Sequence, residues 1–486
     1  MSDTAVKHHD LTVEPIPRTL GRMVGGMMVG LLAMAGFNVA DTYFVAQLGT
    51  DQLAAMTFTF PVSFVLASVG RGMGIGVSLL VARLVGQKRH DEIPDTVLAS
   101  LLLGLLAILP VIVVGILTIR PLFTLMGARP ELLPYIEQYM PIYYASAVFI
   151  MIPFVGNDAM RGTGDTLSPS LVMIAGLGLN IVVDPMMIFG FGPIPAMGVA
   201  GAAWATLLTR AVSTSCSLYI LAARKRMLRP HWPGRAKMLA CWRTVLAIGL
   251  PMGAAMMLQP LAMAILTKVV SQFGKQAVAA FGAAGRVEML ALLPLIALGN
   301  AMVPFVGQNR GAGEHSRIHR AHRGATAFGL GWGLLCVVVG LLFARPIASV
   351  FTADGEVLRL MALMLCIAPV AYGFKGIFFA CGGVLNALQR PLHASTLIAL
   401  RLLVLTIPLA LAGALVGRYP GLIAGVVVAE LLAAALSVLT ARRQMRLLVP
   451  SDASGQRDLG RTDLPVAAPD EGERQNLGQG RAREGV

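Results

Sequence analysis

Asp41 and Asp184 are each a lone carboxylate inside a long apolar run. An ionised side chain in hydrocarbon is costly, so such residues face a wet cavity and mark the path of an ion or a proton. Asn180 stands one helical turn before Asp184 and shares its face, and Asn38 stands in roughly the same relation to Asp41. Two carboxylates, the Asn180 amide oxygen and the Thr206 hydroxyl of the next span form an oxygen-rich set suited to a small hard cation. Two neighbouring acids would equally share a proton, because like charges oppose joint ionisation. The chemistry leaves Na⁺ and H⁺ both open. Each residue also has a plainer alternative: a hydrogen bond to a neighbouring helix or, for Asp41 near the end of its run, a reach to the interface.

The elements that must hold these groups follow from composition. The chain has 486 residues, 56% hydrophobic and 13% charged, with a mean hydropathy of +0.73. Apolar stretches recur from Thr19 to Thr440, each of the ~20 residues needed to cross a core of about 30 Å. They are continuous rather than alternating, which excludes a transmembrane barrel. Twelve helices are expected near residues 19–46, 53–84, 95–118, 134–158, 167–190, 198–223, 242–271, 277–304, 324–344, 357–387, 393–416 and 421–441. The first is an uncleaved anchor, since no short apolar region with a small-residue cleavage site precedes it.

The net charge of +14 resides between the runs: Arg83, Lys88 and Arg89, then Arg224 to Arg243, then Arg310 to Arg323, then Arg442 to Arg446. Such alternation reports topology, not nucleic-acid binding. The positive-inside rule places both termini in the cytoplasm of a multi-pass plasma (inner) membrane protein. Five cysteines lie in or beside apolar runs with no CxxC pair, and read as packing residues.

The basic stretch from Arg224 to Arg243 divides the helices six and six. The halves echo each other: Val85-Gly86-Gln87-Lys88-Arg89 after the second helix, Val306-Gly307-Gln308-Asn309-Arg310 after the eighth. An even number of spans per half gives copies related by an axis along the membrane normal. The expected architecture is an all-α polytopic membrane protein of two six-helix lobes. Its expected parts are a cytoplasmic segment 1–18, an N lobe 19–225, a connector 226–241, a C lobe 242–445 and a disordered cytoplasmic tail 446–486, the last too poor in bulky apolar residues to fold.

Asp41-Thr42-Tyr43-Phe44-Val45 followed by Leu48-Gly49, Gly86-Gln87, Arg161-Gly162-Thr163-Gly164-Asp165, Asn180 with Asp184-Pro185, and Gly307-Gln308-Asn309 resemble the signatures of the multidrug and toxic compound extrusion (MATE) family. The resemblance implies a cation-coupled antiporter that exports amphipathic, often cationic drugs and toxic compounds through a cleft opening alternately to either side. It implies coupling by Na⁺ or H⁺ rather than a bound cofactor. Asp41, Asn180, Asp184 and Thr206 are then the coupling residues, the first three also ligands if the ion is Na⁺. The protein is expected to act as a monomer in lipid, with no nucleic-acid partner.

The C-terminal half departs from one branch. NorM-like members carry a glutamate eight residues after a helix-seven proline; here the proline is Pro251 and the matching residue is Gln259. The aspartate which that branch places in helix ten falls near Lys375. Coupling therefore shifts to the N lobe, as in the DinF-like branch. Gly26 falls where many members have a proline that bends helix one, and Gly25, Gly26, Gly30 and Gly36 could still permit bending.

Candidate cavity residues are Asn38, Met34, Met256, Met263, Gln259, Glu288, Lys375 and Arg401. Methionines make an adaptable wall, although they equally serve packing. Lys375 and Arg401 either meet anionic substrate groups or pair within the C lobe; Glu288, two residues from Arg286, is a candidate for a structural ion pair, and Glu430 for the lobe interior. The alternative function is a lipid-linked precursor flippase of the wider superfamily. No HExxH and no GxxxxGK[ST] occur, so neither a zinc protease nor an ATP-driven pump is indicated.

Overall fold

The structure, a computed structural model, describes residues 10–229 and 232–447. It contains helices α1 (Ile16–Ala46), α2 (Thr50–Gly86), α3 (Ile93–Leu117), α4 (Ile119–Leu125), α5 (Leu133–Gly162), α6 (Leu167–Phe189), α7 (Gly198–Tyr219), α8 (Arg235–Ser271), α9 (Lys275–Gly311), α10 (His315–Phe351), α11 (Gly355–Ile367), α12 (Pro369–Ala387), α13 (Pro391–Ala399) and α14 (Ile407–Arg446). Five-residue and seven-residue π segments, Ile220–Arg224 and Leu400–Thr406, continue α7 and join α13 to α14. Among the described residues no strand is formed, and Phe191 with Ile194 makes the one isolated bridge.

Ten of these stretches are long and apolar enough to cross a membrane among the described residues, and one of them, Pro391–Arg446, is 56 residues long. That stretch is a hairpin. Gly417 and Arg418 leave helical dihedrals, with φ of −120° and 50°, and a Cβ on Gly413 would collide with the carbonyl of Gly421 as the chain doubles back. Counting the hairpin as two, and adding α7, whose Thr206, Thr209 and Arg210 dilute its hydropathy, gives twelve spans. The fold is all-α, with two six-helix lobes related by a pseudo-two-fold along the membrane normal.

Three boundaries differ from expectation. The connector expected over 226–241 ends earlier, because α8 begins at Arg235. Lysine and arginine are good helix formers; Lys237 of this cationic first turn lies 4.0 Å from Asp95, and two turns into the helix Trp242 Nε1 donates to Ala99 O at 2.7 Å. The tenth span is not one helix; it breaks between Ile367 and Pro369, since a proline restricts the residue before it. The expected disordered tail 446–486 lies outside the described residues beyond Leu447, and Arg446 itself still ends α14.

The two-fold is visible in local geometry. Gly49 and Gly274 precede α2 and α9 with φ of 140° and 100°, the same glycine-only conformation at equivalent places. α2 packs on α8 and α9 packs on α1, a pair of contacts that the axis exchanges. The repeated glycine motifs meet on that axis: a Cβ on Gly86 would strike the backbone of Gln308, and one on Gly307 would stand 2.9 Å from Ala82 Cβ.

These seams lie toward one side. From Leu66 to Val85 α2 is largely buried, and from Leu292 to Asn309 so is α9, whereas their opposite ends are mixed. The lobes are shut on the side bearing the α7–α8 connector and part toward the other. The shut side is pinned by the segment before α1: Leu11 N donates to Gln308 Oε1 at 3.1 Å, Arg317 Nη2 donates to Glu14 O at 2.6 Å, and Gln308 Nε2 donates to Gly162 O of the N lobe at 3.0 Å.

α1 is a continuous helix without an internal proline. Gly26, Gly30 and Gly36 serve close approach to α6, while a Cβ on Gly25 would meet nothing. Gly26 and Gly30 lie against Thr166 and Ser170 at the start of α6, and Ser170 Oγ donates to Gly26 O at 2.5 Å. This contact brings the Asp41 helix beside the Asp184 helix.

Candidate functional site

α1, α5, α6 and α7 gather a polar layer inside the N lobe. α6 presents Asn180 and Asp184 on one buried face, both with no exposed surface. Pro185 follows directly, and its missing N–H leaves the Ile181 carbonyl without its helical donor. A further oxygen is thereby freed on the turn that carries the acid.

Neither Asp184 oxygen has a hydrogen-bond partner among the described residues; nor do the Asn180 amide atoms, Asp41 Oδ1 or Thr209 Oγ1. Asp184 and Asp41 are near enough to interact electrostatically, and Asp41 senses the charge of Arg210. Thr206 is buried on α7 one turn before Arg210, and Thr209 adjoins it. The layer thus places Asp41 near Asp184 and Asn180, with Thr206 buried on the neighbouring α7.

Arg210 and the tyrosines around it escaped the sequence reading. Arg210 Nη1 donates to Ser146 Oγ at 2.6 Å and Nη2 to Tyr143 Oη at 2.9 Å, with the guanidinium 4.4 Å over the Tyr143 ring. Tyr143 stacks on Tyr139 at 5.4 Å between ring centroids. The cation is fixed by α5 through two hydrogen bonds and a ring face, so it does not close onto either carboxylate. The signal that would have exposed it is a lone arginine inside a span.

The cavity candidates are scattered. Asn38 is exposed and donates its Nδ2 to Met34 O on its own helix at 2.9 Å, so it is not drawn to the acids. Met34 receives Arg71 Nη2 on its sulfur at 3.2 Å. On α8, Gln259 and Met263 are exposed and Met256 is half-buried.

Lys375 and Arg401 are both paired inside the C lobe. Lys375 Nζ bonds Glu288 Oε1, and Arg401 Nη2 donates to Glu430 Oε1 at 2.8 Å while lying 4.8 Å over Phe378. Glu288 therefore finds its partner on α12, not in nearby Arg286, which is exposed. The seven-residue π segment Leu400–Thr406 carries Arg401.

The turn Arg161 to Asp165 caps α6. Asp165 Oδ1 accepts from Leu167 N at 3.1 Å and Ser168 N at 3.0 Å, and Oδ2 pairs with Lys225 Nζ at 2.5 Å. Burial works to raise this carboxyl, but the hydrogen bonds from Lys225 and Ser168 outweigh it and hold it below the usual carboxylate range. No three His, Cys, Asp or Glu side chains among the described residues cluster as a metal site would.

The MatE family model matches residues 27–186 and again residues 251–412, once in each lobe. The FAD transporter of Shewanella oneidensis is 36% identical over 87% of this chain and 94% of its own. The multidrug export protein MepA of Staphylococcus aureus is 23% identical, covering 85% and 90%. The solved structure of the Vibrio cholerae MATE transporter VcmN in the bent form is similar with a TM-score of 0.84 at 29% identity, covering 89% of this chain and 98% of that one. With the model matched in both lobes and the two-lobe fold shared, the chain belongs to the MATE family of efflux transporters and is not an enzyme.

Proposed function

We propose that the chain is a cation-coupled antiporter, driving export of amphipathic organic compounds by the entry of H⁺ or Na⁺ at the N-lobe layer. The observation that carries this reading is the orphaned set of Asp41, Asn180 and Asp184 atoms. Buried polar groups are almost always satisfied, so a cluster left open in the membrane has a partner that comes and goes. A proton satisfies it by neutralising one acid, and Na⁺ by drawing on the carboxylates, the Asn180 oxygen and the freed Ile181 carbonyl.

That Glu288 and Glu430, within the C-lobe spans, are each paired with a base supports N-lobe coupling and the DinF-like assignment. Basic loops on the shut side support an inner-membrane protein with cytoplasmic termini and an outward-parted cleft. We keep 19–225 as the N lobe and extend the C lobe of 242–445 back to Arg235, where α8 begins.

Amphipathic drugs are the first substrate class, a reading supported by the likeness to the multidrug export protein MepA. A second class, flavin dinucleotides, is favoured by the 36% identity to a FAD transporter. Reconstituted protein is tested by imposing Na⁺ and pH gradients separately on liposomes and following ethidium and FAD. One gradient is expected to drive flux; flux indifferent to both would overturn antiport. Topology is checked by impermeant thiol labelling in a cysteine-free background, where Lys237→Cys is expected to stay silent from outside cells and Gly192→Cys to react.

A further inference from the structure

A second polar cluster lies deeper in the N lobe and takes no part in the layer above. Arg71 on α2 donates Nη2 to Met34 Sδ at 3.2 Å and stands 6.0 Å over the Phe154 ring. One turn further along α5, Asp158 lies against Gly74 of α2 and accepts from Arg161 Nη1 at 2.5 Å. Arg161 Nη2 reaches only Met173 Sδ, at 3.8 Å, and its Nε is buried without a partner.

Arg161 is bonded to Asp158 and Arg71 senses both of their charges, so two guanidiniums stand near a single carboxylate. Arginine keeps its charge in proteins, and a thioether sulfur is a weak acceptor, so one positive charge and several N–H donors are left for a group outside the chain. The plane and spacing of guanidinium donors suit the oxygens of a phosphate. The cluster is also placed where a substrate would stop. Met34 precedes Asp41 by seven residues on α1, and Met173 precedes Asn180 by seven on α6, which sets the cluster about 10 Å below the coupling layer. Gly72, next to Arg71, lies with its Cα against the Gly249 backbone, where the lobes are shut.

We propose that Arg71 and Arg161 form an anion site in the N lobe, on the shut side of the polar layer, which holds the phosphoryl group of an amphipathic substrate such as a flavin nucleotide. This assignment rests on the exporter reading and gives that exporter a substrate class. The acids above handle the coupling cation, and the arginines below handle the cargo's charge.

The test is equilibrium binding of FAD, FMN and riboflavin to the full chain in phosphatidylcholine nanodiscs, with ethidium transport measured in parallel. FAD and FMN are expected to bind about tenfold tighter than riboflavin, the worth of one charge-assisted hydrogen bond. Arg71→Gln is expected to bring the ratio near one, and Arg71→Lys to keep most of it. Should Arg71→Gln not survive purification, Arg161→Gln is expected to lower the same ratio. Equal binding of phosphorylated and unphosphorylated flavins, or a ratio that survives both glutamine variants, would overturn the site. Loss of FMN binding on adding phosphatidylglycerol would assign the pocket to a lipid headgroup and overturn it too. If gradient-driven ethidium transport persists while the ratio is one, only the anion site fails; if neither ethidium nor any flavin is transported, the exporter reading fails.

Discussion

The two lobes are copies of one plan, yet they treat membrane-embedded acids in opposite ways. In the C lobe Glu288 is bonded to Lys375 and Glu430 to Arg401, each acid meeting a base from another helix. In the N lobe Asp184 has no hydrogen-bond partner at either oxygen among the described residues, and Arg210, whose charge Asp41 senses, is fastened to Tyr143 and Ser146 instead. A buried pair cancels its own charge, even where single atoms such as Glu430 Oε2 and Arg401 Nε stay without a hydrogen bond, and it gives rigidity rather than reactivity. An open acid costs folding energy, and it persists where an external cation completes it. The comparison separates a half whose acids are left open, as the proposed coupling requires, from a half whose acids are paired.

The largest effect should come from Asp184→Asn, which keeps the side chain's size and removes its capacity to ionise. Gradient-driven ethidium flux in liposomes is expected to disappear while the protein still inserts and purifies normally. Full flux in this variant would make the lobes equivalent and end the comparison.

The C lobe should fail differently. Glu430→Leu leaves Arg401 buried and unpaired, a loss of about 3 kcal/mol in stability by analogy with broken buried pairs. The double variant Arg401→Met with Glu430→Leu is expected to recover most of it, and thermal melting in detergent reads both. A melting temperature unmoved by the single change would mean that the pair is not held out of water. At the seam between lobes, Gly86→Ala forces a methyl onto the Gln308 backbone, a strain of about 2 kcal/mol against the shut side. It is expected to raise thiol labelling of a cysteine placed at Arg83, and unchanged labelling would show that the seam is looser than its contacts.

Much of this contrast was legible in the residue order, and the reasons are local. Apolar runs gave the spans because length and hydropathy suffice for them, including the two arms of the α14 hairpin that one continuous helical stretch conceals. Asp41 and Asp184 stood out because a carboxylate in an apolar run is rare. The pairing of Lys375 with Glu288 was hidden, since the partners are 87 residues apart and only packing brings them together. Arg71 and Arg210 were passed over for a related reason: a single arginine among polar or small residues resembles a boundary until α5 is seen to receive it. Helix ends slipped where cations continue a helix beyond the membrane, as at Arg235.

The smallest expected effect concerns Asp165, an N-lobe acid that behaves like those of the C lobe. It is paired with Lys225 and caps α6, and its hydrogen bonds keep it ionised more readily than an ordinary aspartate. Asp165→Asn keeps the cap, since asparagine caps as well as aspartate, and should cost about 1 kcal/mol through the lost charge pair with Lys225. Because the folded carboxyl lies below the unfolded value of about 3.9, its stabilisation is fully present above that pH and fades as the pH falls through the folded value. The difference in melting temperature between Asp165→Asn and the parent is therefore expected to be constant from pH 7 down to about 4 and to shrink below it. A difference that instead grows on acidification would mean that Asp165 is destabilised in its charged form, and that the N lobe's paired and open acids are not distinct kinds.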